Sequence, residues 1–185
     1  MKKFSFQPIV DENSKILILG TMPGNKSLKL NQYYANPRNQ FWKIMAFLTG
    51  EDFSISYEAK IKLLLKNNIA IWDVLMHCER EGSLDVNISD EVPNDFKSLF
   101  EKYPNIKSIL FNGAKAKALF QKYFSIDKTK IYHDLPDSGN EESDTANWGF
   151  YLKDLPSSSG ANTRMTQEQK NHIWKKEIDW ALCNK

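Results

Sequence analysis

The stretch Ile16-Leu17-Ile18-Leu19-Gly20-Thr21-Met22-Pro23-Gly24 decides the fold. Its first four residues form an apolar run that ends abruptly at Gly20, and Pro23-Gly24 then predicts a tight turn. A short apolar run that ends in a turn is typical of a buried parallel strand. In open α/β sheets, ligands bind at the carboxyl ends of such strands, so this turn is a candidate site. The same pattern also fits a strand that simply needs a turn.

The composition is that of one globular domain. The chain has 185 residues, of which 41% are hydrophobic, and this is enough for one sizeable core. We therefore expect a single domain over residues 1–185. No apolar run reaches the roughly 18 residues of a membrane span, and the first residues lack the apolar core of a signal peptide. We expect a cytoplasmic protein that does not bind a membrane.

The cysteines and histidines lack the spacing of a metal site. Cys78 and Cys183 lie far apart and form no CxxC motif, which disfavours a disulfide framework, a zinc site or an iron–sulfur cluster. His77, His133 and His172 are equally scattered. We expect no bound metal and no cofactor.

The charge is unevenly distributed although the net charge is only +2. Basic residues outnumber acidic ones between residues 15 and 66, whereas acidic residues gather at residues 79–95 and 134–144. This layout fits a protein with one basic face, as a DNA-binding enzyme needs. It fits ordinary solvated helix surfaces equally well.

Helix and strand patterns alternate along the chain. In chain order, the predicted elements are a strand at residues 15–19, helices at residues 40–49 and 57–66, a strand at residues 69–74, a helix at residues 94–102, a strand at residues 108–111 and a helix at residues 114–124. Such alternation predicts an α/β fold, a three-layer α/β/α sandwich around a central, mainly parallel four-stranded sheet.

Three further segments complete this prediction. The fourth strand lies near Lys130–His133 or, alternatively, near Phe150–Leu152. The polar segment Cys78–Pro93 is too long for a minimal connection and is predicted to be a surface or functional loop. Thr166 and Gln169 have the spacing of a capping box, which predicts the start of a final helix.

Several ordered motifs together resemble the uracil-DNA glycosylase superfamily. Gly20–Gly24 resembles its Gly-x-(Asp/Asn)-Pro loop, and Asn36–Trp42 resembles the Pro-x-Asn-x-Phe-Trp segment of the mismatch-specific branch. Trp72–Leu75 stands where the base-reading strand of the family ends. Phe111–Gly113 resembles the strand–glycine–helix unit, and Leu155–Asn162 resembles the loop that enters DNA.

The combination of Cys78–Asp85 with Leu155–Ser159 looks most similar to the hypoxanthine-DNA glycosylase branch. This resemblance implies a monofunctional hydrolase that flips a hypoxanthine or uracil out of double-stranded or single-stranded DNA, cleaves its N-glycosidic bond and so initiates base excision repair. It would act as a monomer. No lysine suggests a Schiff-base mechanism, so we expect base removal without strand cleavage.

Two positions depart from the family pattern. Met22 stands where relatives that remove uracil carry Asp or Asn to orient water, and Leu155 stands where many carry a histidine that supports the departing base. Neither side chain can do these tasks. An alternative is therefore a catalytically weak or inactive member that binds damaged or single-stranded nucleic acid. An unrelated nucleotide-binding protein is a weaker reading, because neither a P-loop nor a GxGxxG motif is present.

The resemblance implies roles for individual residues. Asn39 takes over the water or base contact, although its residue type alone favours a helix N-cap. Asp73 can accept the ring N–H of hypoxanthine or uracil, or it can cap a neighbouring loop. One of Tyr33 and Tyr34 can stack on the extruded base, worth roughly 1–3 kcal/mol. The residues expected to form the base pocket are Gly20, Thr21, Met22, Pro23, Gly24, Tyr33, Tyr34 and Asp73.

A second group is expected to bind DNA. The serine hydroxyls and backbone N–H groups of the small-residue loop can contact the phosphates that flank the lesion, and the residues after them can probe the base stack. The expected DNA-binding residues are Ser157, Ser158, Ser159, Gly160, Asn162 and Arg164.

Overall fold

The computed structural model describes residues 2–51, 56–83, 87–124 and 149–183. Its strands are β1 (Lys2–Phe4), β2 (Ile16–Gly20), β3 (Ile69–Asp73), β4 (Leu75–Arg80), β5 (Ile88–Pro93), β6 (Ser108–Asn112) and β7 (Tyr151–Leu155). Its helices are α1 (Asn25–Leu30), α2 (Phe41–Thr49), α3 (Tyr57–Lys66), α4 (Phe96–Lys102), α5 (Ala114–Tyr123) and α6 (Gln167–Cys183). None of these helices is long and apolar enough to cross a membrane.

A parallel four-stranded sheet with the order β3-β2-β6-β7 forms the centre of the molecule. β2 is an inner strand, and its residues Ile16–Leu19 are fully buried because helices cover the sheet. Continuous apolar runs are typical of such doubly covered strands. The α/β fold with a parallel four-stranded sheet flanked by helices, which the sequence predicts, is thereby confirmed.

The register of the parallel strands brings several loops to one edge of the sheet. Gly20 pairs with Asp73 at the carboxyl ends of β2 and β3, and Asn112 pairs with Leu155 at the ends of β6 and β7. The loops that follow these four strands therefore leave the sheet side by side. Ligands of open α/β proteins bind at this edge.

The predicted loop over Cys78–Pro93 is wrong for most of its length. β4 and β5 form an antiparallel hairpin, and β1 pairs with the other side of β4 in a separate three-stranded sheet. Only the last part of β4 shows the period of two that a half-buried strand requires, with Cys78 and Arg80 buried and Glu79 exposed, because register shifts interrupt the earlier part of the strand. Because one of the buried residues is an arginine, hydrophobicity does not reveal the alternation.

Two other expectations can be compared with the structure. The fourth strand of the parallel sheet is β7, which agrees with the alternative near Phe150–Leu152; Lys130–His133 lies outside the described residues. The capping box is present, because the Thr166 N–H donates to Gln169 Oε1 at 2.9 Å and the Gln169 N–H donates to Thr166 Oγ1 at 3.2 Å. These bonds satisfy backbone donors at the start of α6.

The packing of α6 against α2 centres on Trp174. Its indole is fully buried and meets the Phe41 ring edge-on, with the ring centroids 5.9 Å apart. The indole Nε1 also donates to the carbonyl oxygen of Pro156 at 2.9 Å. One side chain thus fixes α6 to α2 and to the loop that follows β7.

We expect Trp174→Ala to lower the free energy of unfolding by about 3–5 kcal/mol, because the truncation leaves a large cavity and an unpaired carbonyl. Urea denaturation followed by circular dichroism measures this change. Phe47→Ala on the exposed side of α2 is the control and should cost about 1 kcal/mol or less. Equal losses in the two variants would contradict the central role of Trp174.

Candidate active site

A cavity of about 560 Å³ opens at the carboxyl edge of the parallel sheet. This volume is in the range of sites for small ligands. All eight residues expected to form the base pocket line it, as do Asn39 and most of the expected DNA-binding residues. Arg164 is exposed and is not among the described residues that line the cavity.

Asp73 and Gly20 form the floor of the cavity. The Asp73 side chain is only 3% exposed, and its Oδ2 accepts a hydrogen bond from Ser5 Oγ at 2.9 Å. Its backbone carbonyl accepts from Asn94 Nδ2 at 2.8 Å. A Cβ atom at Gly20 would overlap Asp73 Oδ1 and lie 3.2 Å from the Tyr34 hydroxyl. The absence of a side chain at Gly20 therefore leaves room for two polar groups on the floor.

The two adjacent tyrosines occupy different environments. Tyr33 is buried, and its hydroxyl donates to the carbonyl oxygen of Gln7 at 3.1 Å. Burial raises the pKa of the Tyr33 hydroxyl well above its usual value, and the negative charge of Asp73 raises it further. Tyr34 is half-buried and stacks on the Phe41 ring with a centroid distance of 3.9 Å. Tyr33 therefore belongs to the core beneath the cavity, and Tyr34 is the more accessible ring.

Asn39 lies on the cavity wall just before α2. Its Oδ1 accepts the Phe41 N–H at 2.9 Å, and its own N–H donates to the Asn36 carbonyl oxygen at 2.8 Å. The side chain thus satisfies one backbone donor at the start of the helix, although Gln40 occupies the N-cap position. An amide oxygen has two lone pairs, so this bond leaves acceptor capacity that can face the cavity. The Asn39 side chain can therefore bond to a backbone donor at the start of the helix and contact a water molecule at the same time.

The two positions that depart from the family pattern are apolar and buried. Met22 is 7% exposed and lines the cavity next to the turn at Pro23. Leu155 is the last residue of β7, and its carbonyl oxygen accepts the Gly113 N–H at 3.1 Å. Both side chains belong to the hydrophobic core. Neither can hold water or a departing base by hydrogen bonding.

The serine loop, Ser157–Asn162, forms the opposite wall. Ser158 is fully buried, and its N–H and Oγ bond to the Asn112 side chain, both at 2.8 Å. Its carbonyl oxygen accepts the Gln40 N–H at 2.8 Å. Ser158 Oγ accepts from Asn112 Nδ2 and so helps to hold the loop, and the contact of its hydroxyl with phosphate stays a prediction. Ser157 and Ser159 remain only half-buried.

The serine loop packs closely on the segment that carries Asn39. A Cβ atom at Gly160 would lie 2.7 Å from the Arg38 carbonyl oxygen and 2.8 Å from its Cβ. Such distances are shorter than van der Waals contact, so only glycine fits here without a shift. The side chains of Arg38 and Lys26 are exposed and line the cavity mouth. The sequence motifs assign neither cation to the site. The excess of basic residues before residue 66 is the sequence feature that could have indicated them.

The tip of the β4–β5 hairpin supports the third wall. Ser83 Oγ accepts the Asn25 N–H at 2.9 Å, and Lys3 Nζ donates to Asn25 Oδ1 at 2.6 Å. The buried Arg80 guanidinium donates to the Pro23 carbonyl oxygen. The sequence predicts that Arg80 and Ser83 are parts of a surface or functional loop. In the structure they hold the turn after β2 and the start of α1.

Comparisons with known proteins cover nearly the whole chain. The family model described as "Uracil DNA glycosylase superfamily" matches residues 7–178. Two proteins called "Hypoxanthine DNA glycosylase", from Methanosarcina barkeri and Methanosarcina acetivorans, are 39% and 38% identical to this chain. Each comparison covers 92% of this chain and 95% of the relative. A solution NMR structure from M. acetivorans, described provisionally as a uracil DNA glycosylase, has a TM-score of 0.74 and 35% identity. It covers 98% of this chain and 99% of that one.

We expect Gly160→Ala to lower the free energy of unfolding by about 1–3 kcal/mol, because the added methyl group forces the serine loop away from Arg38. Urea denaturation measures the change. Gly24→Ala is the matched control: the nearest atom to its Cβ would be Ser83 Oγ at 3.6 Å, an ordinary contact. This control should cost less than about 1 kcal/mol, and a Gly160→Ala variant as stable as the control would contradict the close packing.

Proposed function

The chain belongs to the uracil-DNA glycosylase superfamily, and we propose that it is a monofunctional glycosylase that hydrolytically removes hypoxanthine from DNA, with uracil as the second substrate. The lining of the cavity supports this proposal, because the buried Asp73 carboxylate, the Asn39 amide and the serine loop all face the same space. The names of the relatives, which are called hypoxanthine DNA glycosylases, favour hypoxanthine as the base. Excision would initiate base excision repair.

Base selection would rest on Asp73. Hypoxanthine and uracil both present a ring N–H beside a carbonyl group, and a carboxylate accepts such an N–H well. Adenine has a lone pair at the corresponding ring nitrogen, so it would be repelled. The bonds from Ser5 and Asn94 fix the carboxylate and the backbone of Asp73. A fixed acceptor discriminates strongly, because a mismatched base leaves it unpaired in a buried site.

The extruded base would enter from a duplex held at the cavity mouth. Arg38 and Lys26 would supply positive charge for the phosphates, and Ser157 and Ser159 would offer their hydroxyl groups. Arg164 would contact a phosphate further from the cavity. Extrusion costs a few kcal/mol and is cheaper at a mispaired base. Hypoxanthine and uracil in mispairs, or in single strands, would therefore be preferred.

The chemistry would proceed by hydrolysis of the bond between the sugar C1′ and the base nitrogen. The bonding electrons leave with the base, an oxocarbenium-like sugar develops, and water adds to C1′. The proton that this water gives up ends, by way of solvent, on the departed base anion. Asn39 would orient this water through the second lone pair of Oδ1. A neutral amide is a poor base, so we expect slow turnover. Tyr34 would stack on the base during this step.

A second candidate function is binding without hydrolysis. Met22 and Leu155 favour it, because both are buried apolar side chains at positions where polar groups assist catalysis in relatives. Such a protein would bind damaged or single-stranded DNA and leave the base attached. Incubation with duplexes that contain hypoxanthine or uracil, followed by alkaline cleavage of abasic sites, separates the two functions. Binding without product supports the second.

The absence of strand cleavage is part of the proposal. A glycosylase that also cuts the strand forms a Schiff base between an amine and the sugar, and borohydride traps this adduct. We expect abasic product without a trapped adduct. A covalent protein–DNA product after borohydride treatment would refute the monofunctional mechanism.

The role of Asn39 can be separated from its contribution to helix capping. Asn39→Ala should lower the single-turnover excision rate about 100-fold or more, since water is no longer oriented. Asn39→Ser keeps an oxygen that can accept the Phe41 N–H, so it should retain stability and lose activity to a similar extent. Denaturing gels of cleaved oligonucleotides measure the rates. Undiminished excision by either folded variant would end the catalytic claim.

The role of Asp73 has its own test. Asp73→Ala should lower hypoxanthine excision about 10- to 100-fold, because it removes the acceptor for the ring N–H. Affinity for lesion-free duplex, measured by fluorescence anisotropy, should stay within about twofold of that of the original protein. Ser5→Ala, which removes only the hydroxyl that bonds to Oδ2, should have a smaller effect. A variant with full activity would show that Asp73 serves the fold alone.

A further inference from the structure

Lys170, in the first part of α6, is a fully buried lysine. Its side chain is 0% exposed, yet its ammonium group has two neutral acceptors: Gln40 Oε1 at 2.7 Å and the Asn162 carbonyl oxygen at 2.8 Å. Lysine is almost never fully buried without a partner. Burial lowers the pKa of Lys170, as expected for a cation removed from water. A neutral residue would fill this space at less cost, so the ammonium group calls for another explanation.

The two acceptors belong to two segments that form walls of the cavity, although Gln40 itself is not among the described residues that line it. Gln40 directly follows Asn39, and its N–H donates to the Ser158 carbonyl oxygen. Asn162 closes the serine loop, since its N–H donates to the Ser159 carbonyl oxygen at 3.0 Å and its Nδ2 donates to the Ser157 carbonyl oxygen at 3.1 Å. The ammonium group is therefore a point at which α6 is bonded to both walls.

We propose that Lys170 is a positioning residue for base excision, whose ammonium group holds Gln40, and with it Asn39, in register with the serine loop. The proposal rests on the proposed function. Lys170 does not line the cavity among the described residues, so it acts through Gln40 and Asn162. Catalytic geometry is sensitive to such support, because a displacement of about 1 Å can cost 100-fold in rate.

The geometry requires an extended side chain that ends in several donors. Three N–H groups radiate from the ammonium nitrogen, which lets one atom bond to a side-chain oxygen and a backbone oxygen at once. Methionine has similar length and no donor, so Lys170→Met removes both bonds while it retains most of the packing volume. Both acceptors would then lack their donor.

We expect Lys170→Met to lower the maximal single-turnover rate of hypoxanthine excision about 10- to 100-fold. The DNA concentration that gives half-maximal rate should change less than about threefold, since the buried ammonium group does not reach the phosphates. Lys176→Met removes the same charge from an exposed position of the same helix and is the matched control. It should leave the maximal rate unchanged.

A double-mutant cycle distinguishes positioning from a general loss of stability. If Lys170 acts through Gln40, the double variant of Lys170→Met and Gln40→Leu should be no slower than Lys170→Met alone, because Lys170→Met already removes the bond to Gln40. If the two substitutions caused independent structural defects, their fold losses in rate would instead multiply in the double variant. Multiplicative losses, or a Lys170→Met rate equal to that of the Lys176→Met control, would overturn the proposal.

Hydrogen exchange provides a readout that does not depend on activity. Lys170→Met should speed exchange of the Gln40 amide, which bonds to the Ser158 carbonyl oxygen, and leave the Gly50 amide, which bonds to the Ala46 carbonyl oxygen at the far end of α2, unchanged. Unchanged exchange of the Gln40 amide would refute the proposed link between Lys170 and Gln40. If the original protein excises no base although exchange responds as expected, the proposed function fails and the link is purely structural, which also refutes a role in excision.

Discussion

The parallel pairing of β2 with β3 and β6 is the constraint on which the site depends. Because parallel strands share a direction, their carboxyl ends meet at one edge, and the register then decides which residues are neighbours. Here it sets Gly20 opposite Asp73. The missing side chain at one position makes room for the carboxylate at the other. Both faces of β2 are buried, so a shift of one residue would exchange the side chains that pack against the two helix layers, and the close packing of the core therefore maintains this register.

Around that edge, buried polar groups hold the loops. Asp73, Arg80, Ser158 and Lys170 are all nearly inaccessible to water, and each has a hydrogen bond to a neighbouring segment. A buried polar group is costly unless it is bonded, so each of these residues favours one loop geometry over its alternatives. The core supplies most of the stability, whereas these bonds determine where the walls of the cavity lie.

The sequence contains enough information for the sheet and for much of the cavity lining. Continuous apolar runs identify β2, β3 and β6, because strands covered on both faces need no polar residues. The β4–β5 hairpin escaped prediction because its inward positions include Arg80, whose burial depends on a bond to the distant Pro23. The burial of Lys170 could not be predicted either, because it also depends on bonds to distant segments. Its neighbours on α6 are mostly polar, and only the folded chain brings Gln40 and Asn162 to its ammonium group.

In the proposed mechanism, the neutral amide of Asn39 would make catalysis depend on position rather than on acid–base strength. A carboxylate at the place of Met22 could attract a water proton from a range of angles, whereas an amide oxygen only orients the water through a directional hydrogen bond. Its benefit therefore falls quickly when the backbone shifts. Asn39 is held on both sides, by the packing of Arg38 against Gly160 and by the bonds of Gln40 to Ser158 and Lys170. The weaker the catalytic group, the more the rate depends on such rigid support.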